Sequence, residues 1–291
     1  MSIRIVFADL DGTLLDTHRV VSAFTRDVLR RLHTERPCVK FVVATGRPYQ
    51  DVMESMKLLQ LHPDYIISNN GAVVHQGETD KRVCQHTLRA DVVRRVLALP
   101  LPSEPVHDPS SMAEATGSPP VAPVVAANLF REQDWVSTCK VTGMGRTYRP
   151  NFQPRVVADL PLANEYHEQV YSLFFYGPHE HLLPIERALR RDFAEDVTFS
   201  FSLPYILDVA PRAVDKATAL RDVLKLLQLS PEDAAAFGDG MNDLPMLTAV
   251  GHGYVMANSL PELFAAAPHL EVIGSNADDG VAKKLLALFF P

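Results

Sequence analysis

The segment Ile3-Arg4-Ile5-Val6-Phe7-Ala8-Asp9-Leu10-Asp11-Gly12-Thr13 decides how the rest of the chain is read. Ile3 to Ala8 is a short apolar run, as expected of a strand buried on both faces in a parallel sheet. It runs straight into two aspartates and a glycine turn. Two carboxylates two residues apart are costly to keep: at ~4 Å and an effective dielectric of ~20, like unit charges repel by ~4 kcal/mol. A divalent cation removes that cost, and so does a proton on one carboxyl. Phosphoryl transfer can use both answers, an ionised carboxylate as nucleophile and a protonated one as acid. Asp9 alone reads as an Asx turn ending a strand, so the rest of the sequence must decide.

Outward from this segment, strand and helix signals alternate. Ser22 is placed to cap a helix in which Phe24, Val28 and Leu32 recur, and Val39 to Ala44 reads as a second buried strand. A helix opening at Pro48 carries Val52, Met56 and Leu59, and Tyr65 to Ser68 is a third strand closed by the turn signal Asn70-Gly71. The last third alternates in the same way, with a helix over Asp215 to Leu229, a strand at Ala234 to Phe237, a short helix from Leu244, and a closing helix from Val281 to Phe290. The alternation predicts an α/β fold, a doubly wound parallel sheet. The middle differs, with a proline-rich irregular connection between Pro100 and Pro123, strand-like runs at Val121–Phe130, Gln169–Tyr176 and Val197–Leu203, and helices at Asp91–Leu99 and Pro184–Phe193. Residues 84–205 are therefore expected to form an inserted α+β module, with residues 1–83 and 206–291 as the core.

Bulk composition narrows the class of partner only weakly. A chain of 291 residues with 47% apolar and 22% charged residues suits a globular protein, and the net charge of -7 disfavours nucleic acid or an anionic membrane. Cys38, Cys84 and Cys139 are too scattered for a disulfide framework or a structural zinc site, and each reads as a small core hydrophobe. No apolar run approaches the ~18 residues of a membrane span, and the start is no signal peptide, so the cytosol is the expected location.

Three further clusters join Asp9 and Asp11 at the carboxyl ends of strands, where open α/β sheets bind ligands. Thr45-Gly46-Arg47 offers a hydroxyl, an amide and a guanidinium ahead of a helix, an anion site in kind. Lys216 stands at a helix start, where the dipole disfavours a cation unless an anion faces it. In Phe237-Gly238-Asp239-Gly240-Met241-Asn242-Asp243, two aspartates four apart can approach one point from loop and first turn, a set that suits Mg²⁺.

Taken together, these four segments resemble the four motifs of the haloacid dehalogenase superfamily. Ser68-Asn69-Asn70-Gly71-Ala72 and Ser275-Asn276-Ala277-Asp278-Asp279-Gly280-Val281-Ala282 resemble, more narrowly, the Cof-type (type IIB cap) sugar-phosphate phosphatases. The resemblance implies a Rossmann-like core with a cap that selects substrate, and an enzyme that hydrolyses small phosphorylated metabolites with Mg²⁺ through an aspartyl-phosphate. It implies Asp9 as nucleophile and Asp11 as general acid/base. Thr45, Gly46, Lys216 and Asn242 would hold phosphoryl oxygens, and Asp9, Asp11, Asp239 and Asp243 would serve the metal. Arg47 and Asn70 would face the substrate. One departure stands out: the family commonly carries Gly-x-x-Lys-Gly, and here Ala213-Val214-Asp215-Lys216-Ala217 replaces it, with Asp215 placed to orient the lysine.

A phosphomutase of the same superfamily would share Asp9 and Asp11, and a phospho-ligand-binding regulator would show a broken motif, which this chain does not. A monomer or weak homodimer is expected. In the inserted module His107, His167, His179 and His181 read as surface residues, and Trp135 and Phe174-Phe175-Tyr176 as core. Asn128, Ser200 and Ser202 are polar residues that could meet a substrate.

Overall fold

The computed structural model describes residues 3–101, 103–105, 121–141 and 152–291, so His107 and most of the proline-rich connection lie outside the described residues. The chain divides into two compact units, residues 1–86 with 214–291, and residues 87–213.

The first unit is built on an eight-stranded sheet. Its strands are β1 (Ile5–Ala8), β2 (Lys40–Ala44), β3 (Tyr65–Ser68), β4 (Val73–Gln76), β5 (Arg82–Gln85), β6 (Ala234–Gly238), β7 (His252–Met256) and β8 (Glu271–Ile273). They lie in the order β8-β7-β6-β1-β2-β3-β4-β5. The six from β8 to β3 are parallel, whereas β4 and β5 turn back antiparallel at the edge. Those two edge strands carry no helix between them and so depart from the strand–helix alternation. Because β1 is flanked by β2 on one side and β6 on the other, the strand order reverses at β1, which opens a crevice at its carboxyl end.

Alternate residues of β1 feed two cores, as a sheet covered on both faces requires. Val6 and Ala8 pack with Leu32, Val52 and Leu285 from helices α1 (Ala23–Glu35), α2 (Tyr49–Leu59) and α6 (Gly280–Phe289). Ile5 and Phe7 pack with Leu220, Val223, Met246 and Leu263 from α3 (Lys216–Leu227), α4 (Leu244–Thr248) and α5 (Pro261–Ala266). Ser22 caps α1 by accepting from Thr25 N at 2.9 Å, but Phe24 is exposed, one apolar position of the helical pattern that faces out. Cys84 and Cys139 are half-buried and pack against the margins of core clusters, whereas Cys38 is exposed and is not the core hydrophobe expected.

The second unit carries a six-stranded sheet in the order 155–156, 135–137, 126–131, 170–176, 206–211 and 197–203. Strand Ile206–Pro211 pairs antiparallel with both Leu173–Tyr176 and Val197–Leu203, which is why this unit extends past residue 205 to Ala213. Val92, Val96, Leu182 and Leu189, on helices Ala90–Leu97 and His179–Asp192, pack on one face against Leu129, Leu173, Phe175 and Leu207. The longer helix begins at His179, five residues ahead of the expected Pro184, which sits inside it. Trp135 and Phe174 lie in the cluster on the other face with Phe130 and Ile206, and both are buried. Trp135 Nε1 donates to Asn128 Oδ1 at 2.9 Å, so Asn128 is a fully buried partner of that cluster. The expected strand Val121–Phe130 is two strands, Val121–Pro123 pairing with Ser103–Pro105, and Ala126–Arg131 in the large sheet. His167 is buried, its Nε2 on the carbonyl of Leu160 at 2.8 Å, rather than at the surface.

Candidate active site

The site forms where β1, β2 and β6 end. Asp9 leaves β1 with its amide donating to Phe237 O of β6 at 3.0 Å, which fixes the backbone across the crevice. Its side chain is nearly fully buried and accepts from Lys216 Nζ at 2.5 Å. The same ammonium donates to Asp243 Oδ1 at 2.6 Å, so one buried lysine bridges two buried carboxylates. Burial opposes the charge on Lys216, and the pull of Asp243 and Asp9 exceeds it, leaving its pKa raised. Burial holds the Asp9 carboxyl well above the usual carboxylate range, with Lys216 opposing and Asp243 and Asp239 adding to it.

Lys216 reaches this place because Asp215 ends the preceding loop as the N-cap of α3, accepting from Thr218 N at 2.7 Å. Asp215 therefore fixes the helix start rather than orienting the lysine through its side chain. The backbone there is met closely by the Asn69–Gly71 turn after β3: a Cβ at Gly71, whose φ is +102°, would lie 2.0 Å from Asp215 O. No side chain fits, so glycine at 71 is a packing requirement of the lysine loop.

The loop after β6 is closed by Asp243. Its Oδ2 accepts from the amides of Asp239 at 3.0 Å and Gly240 at 2.9 Å, while its Oδ1 is taken by Lys216. Both oxygens of Asp243 thus accept hydrogen bonds, one from Lys216 and the other from the loop that presents Asp239. Asp239 Oδ1 accepts from Thr13 Oγ1 at 2.9 Å, and burial, opposed by that hydrogen bond, pushes its carboxyl up to about 6. Asp9, Asp239 and Asp243 each offer an oxygen within 4.8 Å of the others. Gly12 is also constrained, with φ +81° and a Cβ that would stand 2.2 Å from Asp239 Oδ2, here a side-chain atom rather than backbone.

Asp11 stands apart from this cluster. It is the most exposed carboxylate of the set, and Arg47 donates to it twice, Nε to Oδ2 at 2.6 Å and Nη2 to Oδ1 at 2.5 Å. Arg47 also reaches the buried Asp51 of α2 at 3.1 Å. Thr45 is buried and its Oγ1 accepts from Arg47 N at 3.2 Å. Asn70 adopts the left-handed conformation with φ 52° and accepts from Asn242 Nδ2 at 3.1 Å. A Cβ on Gly46 would lie 3.0 Å from Asn70 Oδ1, so Gly46, Asn70 and Asn242 converge.

Sequence reasoning includes Thr13 in the Asp9–Thr13 motif without giving it a role, and does not single out Asp51 or Asn258. Asn258 donates to Gly12 O at 2.8 Å and accepts from Asn276 N at 2.9 Å, and Asn276 donates in turn to Leu15 O at 2.7 Å. A signal for it exists, an Asn just past the carboxyl end of β7. Asp279 accepts from Ser22 and Thr25 at 2.5 and 2.8 Å. The Ser275–Ala282 motif thus ties the final helix to the segment that follows Asp11.

This constellation has relatives. The family profile of haloacid dehalogenase-like hydrolases matches residues 6–285. The chain belongs to that family. It is 33% identical over 286 residues to an HMP-PP phosphatase of Serratia proteamaculans, covering 97% of this chain and 94% of the relative. It is 29% identical to an HMP-PP phosphatase of Yersinia pseudotuberculosis, with the same coverage. A protein of Thermotoga maritima superposes with a TM-score of 0.79 at 23% identity, covering 99% and 97% of the two chains. A sugar phosphatase described as subclass IIB superposes with a TM-score of 0.73 at 19% identity, over 98% and 100%. This chain is accordingly a Cof-type phosphatase, a phosphoric monoester hydrolase on a Rossmann-like core with an inserted α+β unit. Among the described residues, no helix is long and apolar enough to cross a membrane.

Proposed function

We propose that the chain is a Mg²⁺-dependent phosphatase acting on small phosphorylated metabolites through an aspartyl-phosphate on Asp9. The observation that carries the reading is the buried Asp9–Lys216–Asp243 bridge with Asp239 beside it. The donor set fits Mg²⁺ in kind. Its atoms are hard carboxylate oxygens, and the raised pKa values of Asp9 and Asp239 mark a site short of positive charge. Asp9 and Asp239 would hold the ion, with Asp243 keeping the loop in place and the Asp11 carbonyl completing the set. Bound there, the ion would keep Asp9 ionised and offset charge on the phosphoryl oxygens.

In this reading Lys216, Thr45, Asn242 and the Gly46 amide hold the phosphoryl group for in-line attack. Asp9 forms a bond to phosphorus as the bond to the leaving oxygen breaks, and Asp11 gives that oxygen its proton. Asp11 then takes a proton from water, the new hydroxyl bonds to phosphorus, and Asp9 departs as carboxylate. Arg47, forked onto Asp11, releases it for these transfers. Residues 87–213 select the leaving group, and the likeness to HMP-PP phosphatases makes HMP-PP the first compound to try. Phosphate release is measured over a panel of phosphoesters with Mg²⁺, beside Asp9→Asn and beside chelated enzyme. Loss of turnover in both supports the proposal; wild-type rates in Asp9→Asn would overturn it.

A further inference from the structure

A second group of ligating side chains lies on the far edge of the first unit's sheet. Cys84 is on the edge strand β5, His86 follows it by two residues, and Asp222 sits on α3. Cys84 Sγ donates to Asp222 Oδ2 at 3.0 Å, His86 Nε2 is 2.7 Å from the same oxygen, and Sγ and Nε2 are 3.6 Å apart. The three residues are half-buried, with about a third of the His86 and Asp222 side chains open to solvent.

Two bland readings compete with a ligand site. As a hydrogen-bonded trio the group would only pin β5 to α3, and nothing in that role calls for a sulfur. As a nucleophilic Cys–His pair it is misdirected, since the thiol donates to the carboxylate and stands farther from the imidazole. Sγ and Nε2, 3.6 Å apart, already stand at the ~3.3–3.7 Å between ligands around a tetrahedral zinc with bonds of ~2.0–2.3 Å, whereas the 3.0 and 2.7 Å contacts to Asp222 Oδ2 are hydrogen bonds that would lengthen by roughly 0.5 Å as the ion replaces their protons. Thiolate, imidazole and carboxylate are together a borderline-soft set, which favours Zn²⁺ over Mg²⁺.

We propose that Cys84, His86 and Asp222 form a Zn²⁺ site, with water in the fourth position, that staples β5 to the helix whose first residue is Lys216. The all-oxygen cluster around Asp9 is chemically distinct and takes the harder ion. On binding, the Cys84 S–H bond breaks and a sulfur–zinc bond forms, the thiol proton leaving to solvent. A neutral His86 moves its proton to Nδ1 and bonds zinc through Nε2. Thiolate and carboxylate then balance the two positive charges, so the half-buried site is neutral. The ion would close a loop of 138 residues between Cys84 and Asp222 and join the last residues before the chain leaves the first unit to α3.

The test uses the full chain, stripped with chelator and titrated with Co²⁺ as a coloured stand-in. The expected result is a thiolate-to-cobalt charge-transfer band saturating at one equivalent, kept in a Cys38→Ser/Cys139→Ser double variant and lost in Cys84→Ser. Zn²⁺ should displace the Co²⁺, and should shield Cys84 of the wild-type chain from iodoacetamide by more than about tenfold in rate, a readout that needs no variant. Affinity for Zn²⁺ should fall more than about 100-fold in His86→Ala. Absence of the band in the wild-type chain, its persistence in Cys84→Ser, or alkylation of Cys84 at the same rate with and without Zn²⁺ overturns the proposal.

Discussion

Arg47 holds Asp11 by a two-pronged contact, at 2.5 and 2.6 Å, while its third nitrogen reaches Asp51, a carboxylate with no solvent exposure. One guanidinium therefore ties the loop after β1 to the first turn of α2. Replacing it with Met leaves the Asp51 carboxylate without that cation in a buried place, which costs about 3–5 kcal/mol. Arg47→Lys should recover part of this, since an ammonium supplies charge without the fork. Urea unfolding of the two variants checks the ordering, and a cost below about 1 kcal/mol for Arg47→Met contradicts it.

Lys216 answers to two carboxylates at once. In Lys216→Met, Asp9 and Asp243 lose their shared cation, and the chelated protein should lose about 3–5 kcal/mol of stability. Added Mg²⁺ should raise the melting temperature of this variant more than that of wild type, because the ion would replace the missing charge. Calorimetry with and without Mg²⁺ measures both shifts. Equal Mg²⁺ responses in the two proteins count against the acidic cluster as the ion's place.

Much of this is legible in the sequence for a physical reason. Asp9, Thr45 and Asp239 each follow an apolar strand, and in a parallel sheet all such positions share one edge, so strand periodicity alone collects them. What stays hidden depends on contacts between side chains that no periodicity brings together. Asp51 reads as an ordinary first-turn acid of a helix until Arg47 is seen against it. Asp243 reads in the sequence as one of the metal's acids, and only the structure shows that its oxygens also accept from Lys216 and two loop amides. The antiparallel β4 and β5 escape a sequence reading because four-residue strands beside a turn give too little alternation to separate from loop.

The two alanines that stand where the family commonly has glycine behave oppositely. Ala213 is exposed and has φ 58°, a left-handed conformation that costs an L-residue about 1–2 kcal/mol. Ala217 is buried in the first turn of α3, where alanine is at ease. Ala213→Gly should stabilise by about 0.5–1 kcal/mol once the looser unfolded chain is counted. Ala217→Gly should destabilise by about 1 kcal/mol. Thermal melts of the two single variants, moving in opposite directions, are the expected outcome; a shared direction means that the backbone at 213 is not strained.

Asp208 gives the second unit a pH dependence of its own. It lies on strand Ile206–Pro211, and burial, opposed by a hydrogen bond from Ser202, pushes its carboxyl up to about 6 from 3.8. A raised folded pKa means that the folded state binds the proton more tightly than the unfolded one. Its contribution is therefore fully present below about pH 4 and is lost as pH rises through about 6. A carboxyl displaced from 3.8 to about 6 corresponds to about 3 kcal/mol, an upper figure for what ionising Asp208 removes at neutral pH. Asp208→Asn keeps the shape and cannot ionise, so it should be more stable than wild type at pH 8 by up to about 3 kcal/mol and near-equal to it at about pH 4. Denaturant melts at several values between about pH 4 and about pH 8 trace the difference. A difference that stays flat across that range shows that the carboxyl ionises freely in the fold.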